Sequence, residues 1–131
     1  MGEVKLNPKP VDVQKYQAQH PDDFRVLQAL NPLEQATLYV VGKKLKYSKS
    51  MHLDMKALIT SAVTNKRKDV EHTILGLAKK GMLYKYGGHS YALSDQGLSI
   101  VTGIKLLGWE NKLDMVYTEA YRKGEKAQAE S

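Results

Sequence analysis

The chain has 131 residues, a length that predicts one domain, and its 42% hydrophobic content is enough for a single core. It carries a formal net charge of +6 and no cysteine, which excludes disulfide frameworks, thiolate catalysis and Cys-ligated zinc or iron–sulfur sites. The longest largely apolar run, 36–42, falls far short of the about 18 residues a membrane span needs, and 1–10 is charged and proline-broken rather than signal-like. The expectation is an intracellular protein, cytoplasmic or in the nucleoid, with no membrane partner.

Residues 1–20 hold Pro8 and Pro10, many polar side chains and no sustained period, so they read as an arm. Over 22–30 a short helix could set Phe24, Leu27 and Leu30 on one side, which makes 1–30 an N-terminal arm with room for one short helix. Asn31-Pro32-Leu33-Glu34 then combines an N-cap, a proline at the first helical position and a glutamate at N3. The helix it starts is predicted to run to about Lys46. Leu33, Leu38, Val41 and Leu45 are among its apolar positions, and it is apolar on most sides, as a central helix is.

A short extended piece at 50–53 leads to Asp54 as an N-cap. Met55, Leu58, Ile59, Ala62 and Val63 follow at helical spacing and predict about three turns. After the polar break Thr64-Asn65-Lys66, a third helix carries the stripe Val70, Ile74, Leu77 and Ala78 and ends at Gly81. Strand formers fill 82–86 and 89–93, separated by Gly87-Gly88, which predicts a hairpin with a two-residue primed turn. Ser94-Asp95 caps a fourth helix through Leu98, Val101 and Ile104, with Gly103 and Gly108 weakening its end. Trp109, Leu113, Val116, Tyr117, Ala120 and Tyr121 predict an amphipathic helix over 108–123, and 124–131 reads as a flexible tail. The fold class is therefore mainly α with a small β-hairpin (α+β), in which 31–107 forms a helix-turn-helix followed by a wing.

The charge is concentrated. Lys43, Lys44, Lys46, Lys49, Lys56, Lys66, Arg67, Lys68, Lys79, Lys80 and Lys85 face only Asp54, Asp69 and Glu71 within 43–85, and both flanks are slightly acidic. Such a stretch suits a polyanion, because lysine and arginine displace counterions from phosphates. If the stripe of the third helix is buried, its opposite face carries Lys68, His72, Leu75, Gly76 and Lys79, with Lys66 and Arg67 at the helix start. That face either enters a major groove or is an ordinary solvent-facing surface. Leu75 either meets a thymine methyl or is covered by 1–30. The hairpin tip, Gly88 and His89 with Lys85 beside it, is a wing or merely a tight turn. Tyr84, Tyr86 and Tyr91 are stacking platforms for single strands or, more economically, core residues.

His20, His52, His72 and His89 form no pair at helical ligand spacing, and neither a glycine-rich phosphate loop nor a Gly-x-Ser-x-Gly elbow occurs. No enzymatic activity, metal or cofactor is expected.

The block Val70-Glu71-His72-Thr73-Ile74-Leu75-Gly76-Leu77-Ala78-Lys79-Lys80-Gly81-Met82-Leu83, followed by Tyr91-Ala92-Leu93-Ser94-Asp95-Gln96-Gly97, resembles winged helix-turn-helix transcription regulators of the MarR-like and PadR-like families. The resemblance covers roughly 33–105. It implies double-stranded DNA as partner, with 67–80 in the major groove, 82–93 as the wing and flanking helices building a homodimer. Two departures stand out: the recognition helix opens on Lys66-Arg67-Lys68-Asp69 rather than on serines and threonines, and the wing is short. On this basis Lys66, Arg67, Lys68, His72 and Lys79 are expected to face DNA, with Lys85, Gly88 and His89 on the wing. Lys43, Lys44, Lys46 and Lys49 are expected to grip the adjacent backbone. Trp109, Leu113, Val116, Tyr117 and Tyr121 form the expected dimer stripe, unless that helix folds back on its own domain. Winged helices also serve as protein-interaction modules and as RNA binders, and the motif does not separate these uses.

Overall fold

The computed structural model describes residues 11–123; the flexible tail read at 124–131 and most of the proline-broken start lie outside them. Seven helices and three short strands follow in the order α1 (Val13–Gln19), α2 (Pro21–Ala29), α3 (Pro32–Lys44), β1 (Leu53–Asp54), α4 (Met55–Ile59), α5 (Arg67–Lys79), β2 (Leu83–Tyr86), β3 (Ser90–Leu93), α6 (Asp95–Leu107) and α7 (Glu110–Tyr117). A 3-10 turn at Thr64–Lys66 precedes α5, and a π-helical turn at Thr118–Arg122 extends α7. The strands form an antiparallel sheet in the order β1-β3-β2, with Leu53 and Lys85 both opposite Tyr91. The fold is thus mainly helical with a small three-stranded sheet, in which the short extended piece expected before the α4 segment pairs with the hairpin through Leu53 and Asp54.

Helix α3 is the centre. The Asn31 side chain accepts from the Glu34 amide at 2.8 Å, and the Glu34 carboxylate accepts from the Asn31 amide at 3.0 Å, so the capping box closes in both directions. From Ala36 to Gly42 every residue is buried, including Thr37. With no polar side to turn outward, the helix has to be wrapped by the others.

That wrapping recruits the segment expected to be an arm. Asp12 caps α1 by accepting from the Gln14 amide at 2.7 Å, and the Val11 amide donates to the Leu106 carbonyl at 2.8 Å. Tyr16 is only 1% exposed, and Phe24, Leu27 and Leu30 of the following segment are buried with it. Gln35 of α3 donates to the carbonyls of Leu27 and Leu30 and fixes the end of α2. The described part of 1–30 is therefore core, not arm. Gly103, which the sequence suggests only as a weak point in α6, is the reason: a Cβ there would lie 2.0 Å from the Tyr16 hydroxyl.

Three local expectations are corrected. The helix after Asp54 has five residues rather than about three turns. The Asp54 carboxylate does not cap it, but accepts from the Ser90 hydroxyl across the sheet at 3.0 Å. The hairpin loop has three residues, since Tyr86 pairs with Ser90, and among them only Gly87 has a positive φ. Gly81 (φ 84°) ends α5 and Gly108 (φ 72°) ends α6 in the left-handed conformation, as expected of glycines past a helix end. The Ser94 hydroxyl accepts from the Gly97 amide at 2.9 Å and caps α6. Gly97 packs so closely on the turn after α5 that a Cβ would fall 1.9 Å from the Met82 carbonyl oxygen.

Two measurements test this packing. Gly97→Ala forces two backbones apart and is expected to destabilise the fold by about 3 kcal/mol in urea unfolding, the upper end for overpacking. Glu34 is held below its ordinary value of 4.5: burial pushes it up, and the Lys80 ammonium and the Asn31 amide outweigh that. Its contribution is then full above the unfolded value and is lost as pH falls through the lower folded value. Unfolding midpoints of Glu34→Gln should accordingly fall less between neutral pH and pH 3 than those of the wild type.

Candidate nucleic-acid interface

The apolar stripe of α5 places Val70, Ile74 and Leu77 in the core, all fully buried. The opposite face is free. Lys68, His72, Leu75 and Lys79 are exposed, and neither the two lysines nor His72 has a partner among the described residues. Leu75 is 39% exposed, so the N-terminal segment does not cover it. Gly76 beside it has open space where a side chain would be. Lys66, half-buried in the turn before α5, also lacks a partner among the described residues. Arg67 is partly spoken for: its Nε donates to the Ala62 carbonyl at 3.0 Å and ties α5 to the end of the α4 segment.

Two hollows run along this face. One, of about 670 Å³, lies between α5 and β2 and is lined by His72, Leu75, Gly76, Lys79, Leu83, Tyr84, Lys85 and Tyr91 among others. The second, of about 410 Å³, lies on the other side and is lined by Lys68, Asp69, Glu71, His72 and Leu75. His72 and Leu75 border both and stand as the crest between them.

At the hairpin, Lys85, Gly88 and His89 are exposed, and the His89 carbonyl accepts from the Met55 amide at 3.2 Å, which anchors the loop to the start of α4. Core packing accounts for Tyr91, 6% exposed, but not for Tyr84 and Tyr86, 44% and 49% exposed. The register puts those two on the outer sheet face, where the His52 ring stacks on Tyr86 at 4.1 Å and 20°. Sequence reasoning passed over His52 because the contact needs β1 paired with β3, and a two-residue strand leaves no periodicity to read.

The lysines of 43–49, expected to grip the adjacent backbone, are mostly engaged within the chain. Lys43 pairs with Asp114 of α7 at 3.4 Å and lies over the Tyr39 ring. Half-buried Lys44 donates to the Ala57 carbonyl at 2.9 Å and to the Thr60 hydroxyl at 3.3 Å, closing the end of α4. Burial, and then the nearby Arg122 charge, lower its pKa. Lys49 pairs with Asp95, whose hydrogen bond and charge raise the lysine pKa. Only Lys46 of this group is exposed without a partner among the described residues. Lys80 is likewise engaged, with Glu34 at 2.7 Å. Lys56, which the sequence reading left out of the site, is exposed and unpartnered among the described residues; its sign was legible, its position was not.

The expected dimer stripe is spent inside the chain. Leu113, Tyr117 and Tyr121 are buried, with α7 packed on α3. The Tyr117 hydroxyl shares a hydrogen bond with Ser61 at 2.7 Å, and Tyr121 shares one with Thr73 at 2.9 Å. Trp109 and Val116 are half-buried against the same core. Helix α7 has folded back, so Leu113, Tyr117 and Tyr121 are not available to a second copy. Among the described residues, no helix is long and apolar enough to cross a membrane.

Compared with known proteins, the chain matches no protein-family model, no curated protein and no solved structure.

The division between engaged and free lysines can be measured. Lys44→Ala is expected to lower stability by about 1.5–3 kcal/mol, the range for hydrogen bonds from a charged donor. Lys68→Ala should stay within about 0.5 kcal/mol of wild type, as for a surface residue without contacts.

Proposed function

We propose that the chain is a double-stranded DNA-binding protein of the winged helix-turn-helix kind, with a role in transcriptional regulation. In this reading α5 lies in the major groove and the β2–β3 hairpin rests on flanking backbone. One observation carries it: the outward face of α5 keeps Lys68 and Lys79 free, with Lys66 at one end and Lys85 across the trough, while Lys43, Lys49 and Lys80 of the same basic stretch are neutralised by Asp114, Asp95 and Glu34. What positive charge stays unpaired on α5 and the hairpin gathers around one ridge. A convex helix with cations on both flanks matches a groove bordered by two phosphate rows. The element order supports the reading too, since α4, a tight turn, α5 and then directly a hairpin is the arrangement the resemblance of 70–97 implies.

Asp69 on the same turn as Lys68 works against phosphate contact, and the net attraction is correspondingly modest. With Lys66, Lys68, Lys79 and Lys85 each meeting a phosphate, log K for a duplex is expected to fall against log salt with a slope of about −3.5. Lys68→Ala and Lys79→Ala should each flatten that slope by about 1 while leaving the circular dichroism spectrum unchanged. Fluorescence anisotropy with a labelled duplex reads both. Undetectable duplex binding at low salt overturns the proposal, and tighter binding to structured RNA than to duplex DNA replaces it with an RNA-binding reading.

A further inference from the structure

The face of α5 holds one side chain that charge does not explain. Leu75 sits between His72, one turn before it, and Lys79, one turn after it, and is 39% exposed, with the hollow on one side of it continuing over Ala78, Leu83 and Tyr84. The hollows on either side share only His72 and Leu75 in their linings, so these two lie between them. Gly76 places nothing beside Leu75 that would hold a surface away from it. An apolar tip on a cationic ridge needs an apolar feature at the floor of the surface it enters. The major groove offers one such feature on its base edges, the C5-methyl group of thymine.

We infer that Leu75 is a specificity-determining residue that packs on a thymine methyl, so that the preferred site carries a T·A pair at one fixed position. The inference rests on the duplex-binding reading and goes beyond it, because the lysines contribute attraction that is independent of sequence. The lysines are compact, freely rotating charges, and Arg67, whose Nε donates to the Ala62 carbonyl, stands at the start of α5 and not on its crest. Discrimination then falls to the apolar contact, with His72 as its neighbour on the crest.

The test replaces thymine by deoxyuridine, which removes the methyl and leaves the Watson–Crick edge intact. Duplexes bound by the full chain are first selected from a random pool, and each thymine of the best binder is then replaced singly. At one position the wild type is expected to lose about fourfold in affinity, the value of one methyl group taken out of water. Leu75→Ala should bind the thymine and deoxyuridine duplexes alike, and Leu75→Met, which keeps an apolar tip, should retain the discrimination. Leu75 lies outside the buried core, and circular dichroism spectra and unfolding midpoints matching the wild type show that each variant is folded. The inference is overturned if duplexes bind but no replacement matters, if the pool yields no position that prefers thymine, or if Leu75→Ala discriminates as the wild type does. If no duplex binds at all, the duplex-binding reading falls first and the inference falls with it.

Discussion

Everything in this molecule answers to one constraint: α3 is apolar around its whole circumference over Ala36 to Gly42 and cannot be left partly in water. A surface helix buries one stripe, whereas this one must be enclosed. Helix α5 covers one side, α6 and α7 others, and Gln35 ties the end of α2 to its first turns. Enclosure on that scale consumes most of the apolar surface of a short chain. That is why the N-terminal segment is core, and why the tyrosines of α7 turn inward. Close approach is bought with glycine where bulk would obstruct it, at Gly42 against Val101 and at Gly103 against Tyr16. The Tyr16 hydroxyl and the Thr37 hydroxyl, both buried without a hydrogen-bond partner among the described residues, are the residual penalty of packing this tightly.

Enclosing α3 also sorts the charges. Its C-terminal lysines, Lys43 and Lys44, emerge where α7 and α4 close over it, so they meet Asp114 and the carbonyl of Ala57. Lys80 emerges opposite the α3 N-terminus and meets Glu34, whose own position is set by the capping box. Helix α5 is the exception. It gives α3 a clean stripe of Val70, Ile74 and Leu77, and nothing else in the described chain reaches over its other side. The candidate interface is thus the part of the basic segment that the core does not use.

Caps and one helix face are legible in the sequence, whereas partner identities are not. The Asn31–Glu34 box, Gly81, the Ser94 cap and the amphipathic face of α5 all depend on residues a few positions apart, and each takes its expected place. Helix α1 contains one buried residue, Tyr16, which is too little to make a period, so a seven-residue helix there was invisible. The stripe of α7 was visible, but a stripe states only that a helix has a partner, and an intramolecular α3 satisfies it as well as a second chain. The lysines were miscounted for the same reason: Asp95, Asp114 and Glu34 lie far from their partners in sequence. Core packing, expected for at least one of the hairpin tyrosines, holds for Tyr91, while Tyr84 and Tyr86 on the edge strand β2 stay exposed.

The identity of the free cations limits what the proposed interface can read. Of the three arginines, Arg25 pairs with Asp22, Arg67 is tethered to Ala62, and Arg122 lies on the turn after α7. The α5 ridge is left with lysines, which attract phosphates at any position along a duplex and do not lock onto a base pair as a fork does. Charge concentrated on one face therefore explains why a duplex would be bound and not where. Lys68 and Lys79 flank a crest made of His72 and Leu75, and Leu75 is the apolar side chain on it. On this reading affinity and sequence preference reside in different side chains of the same helix, and removing one should leave the other largely intact.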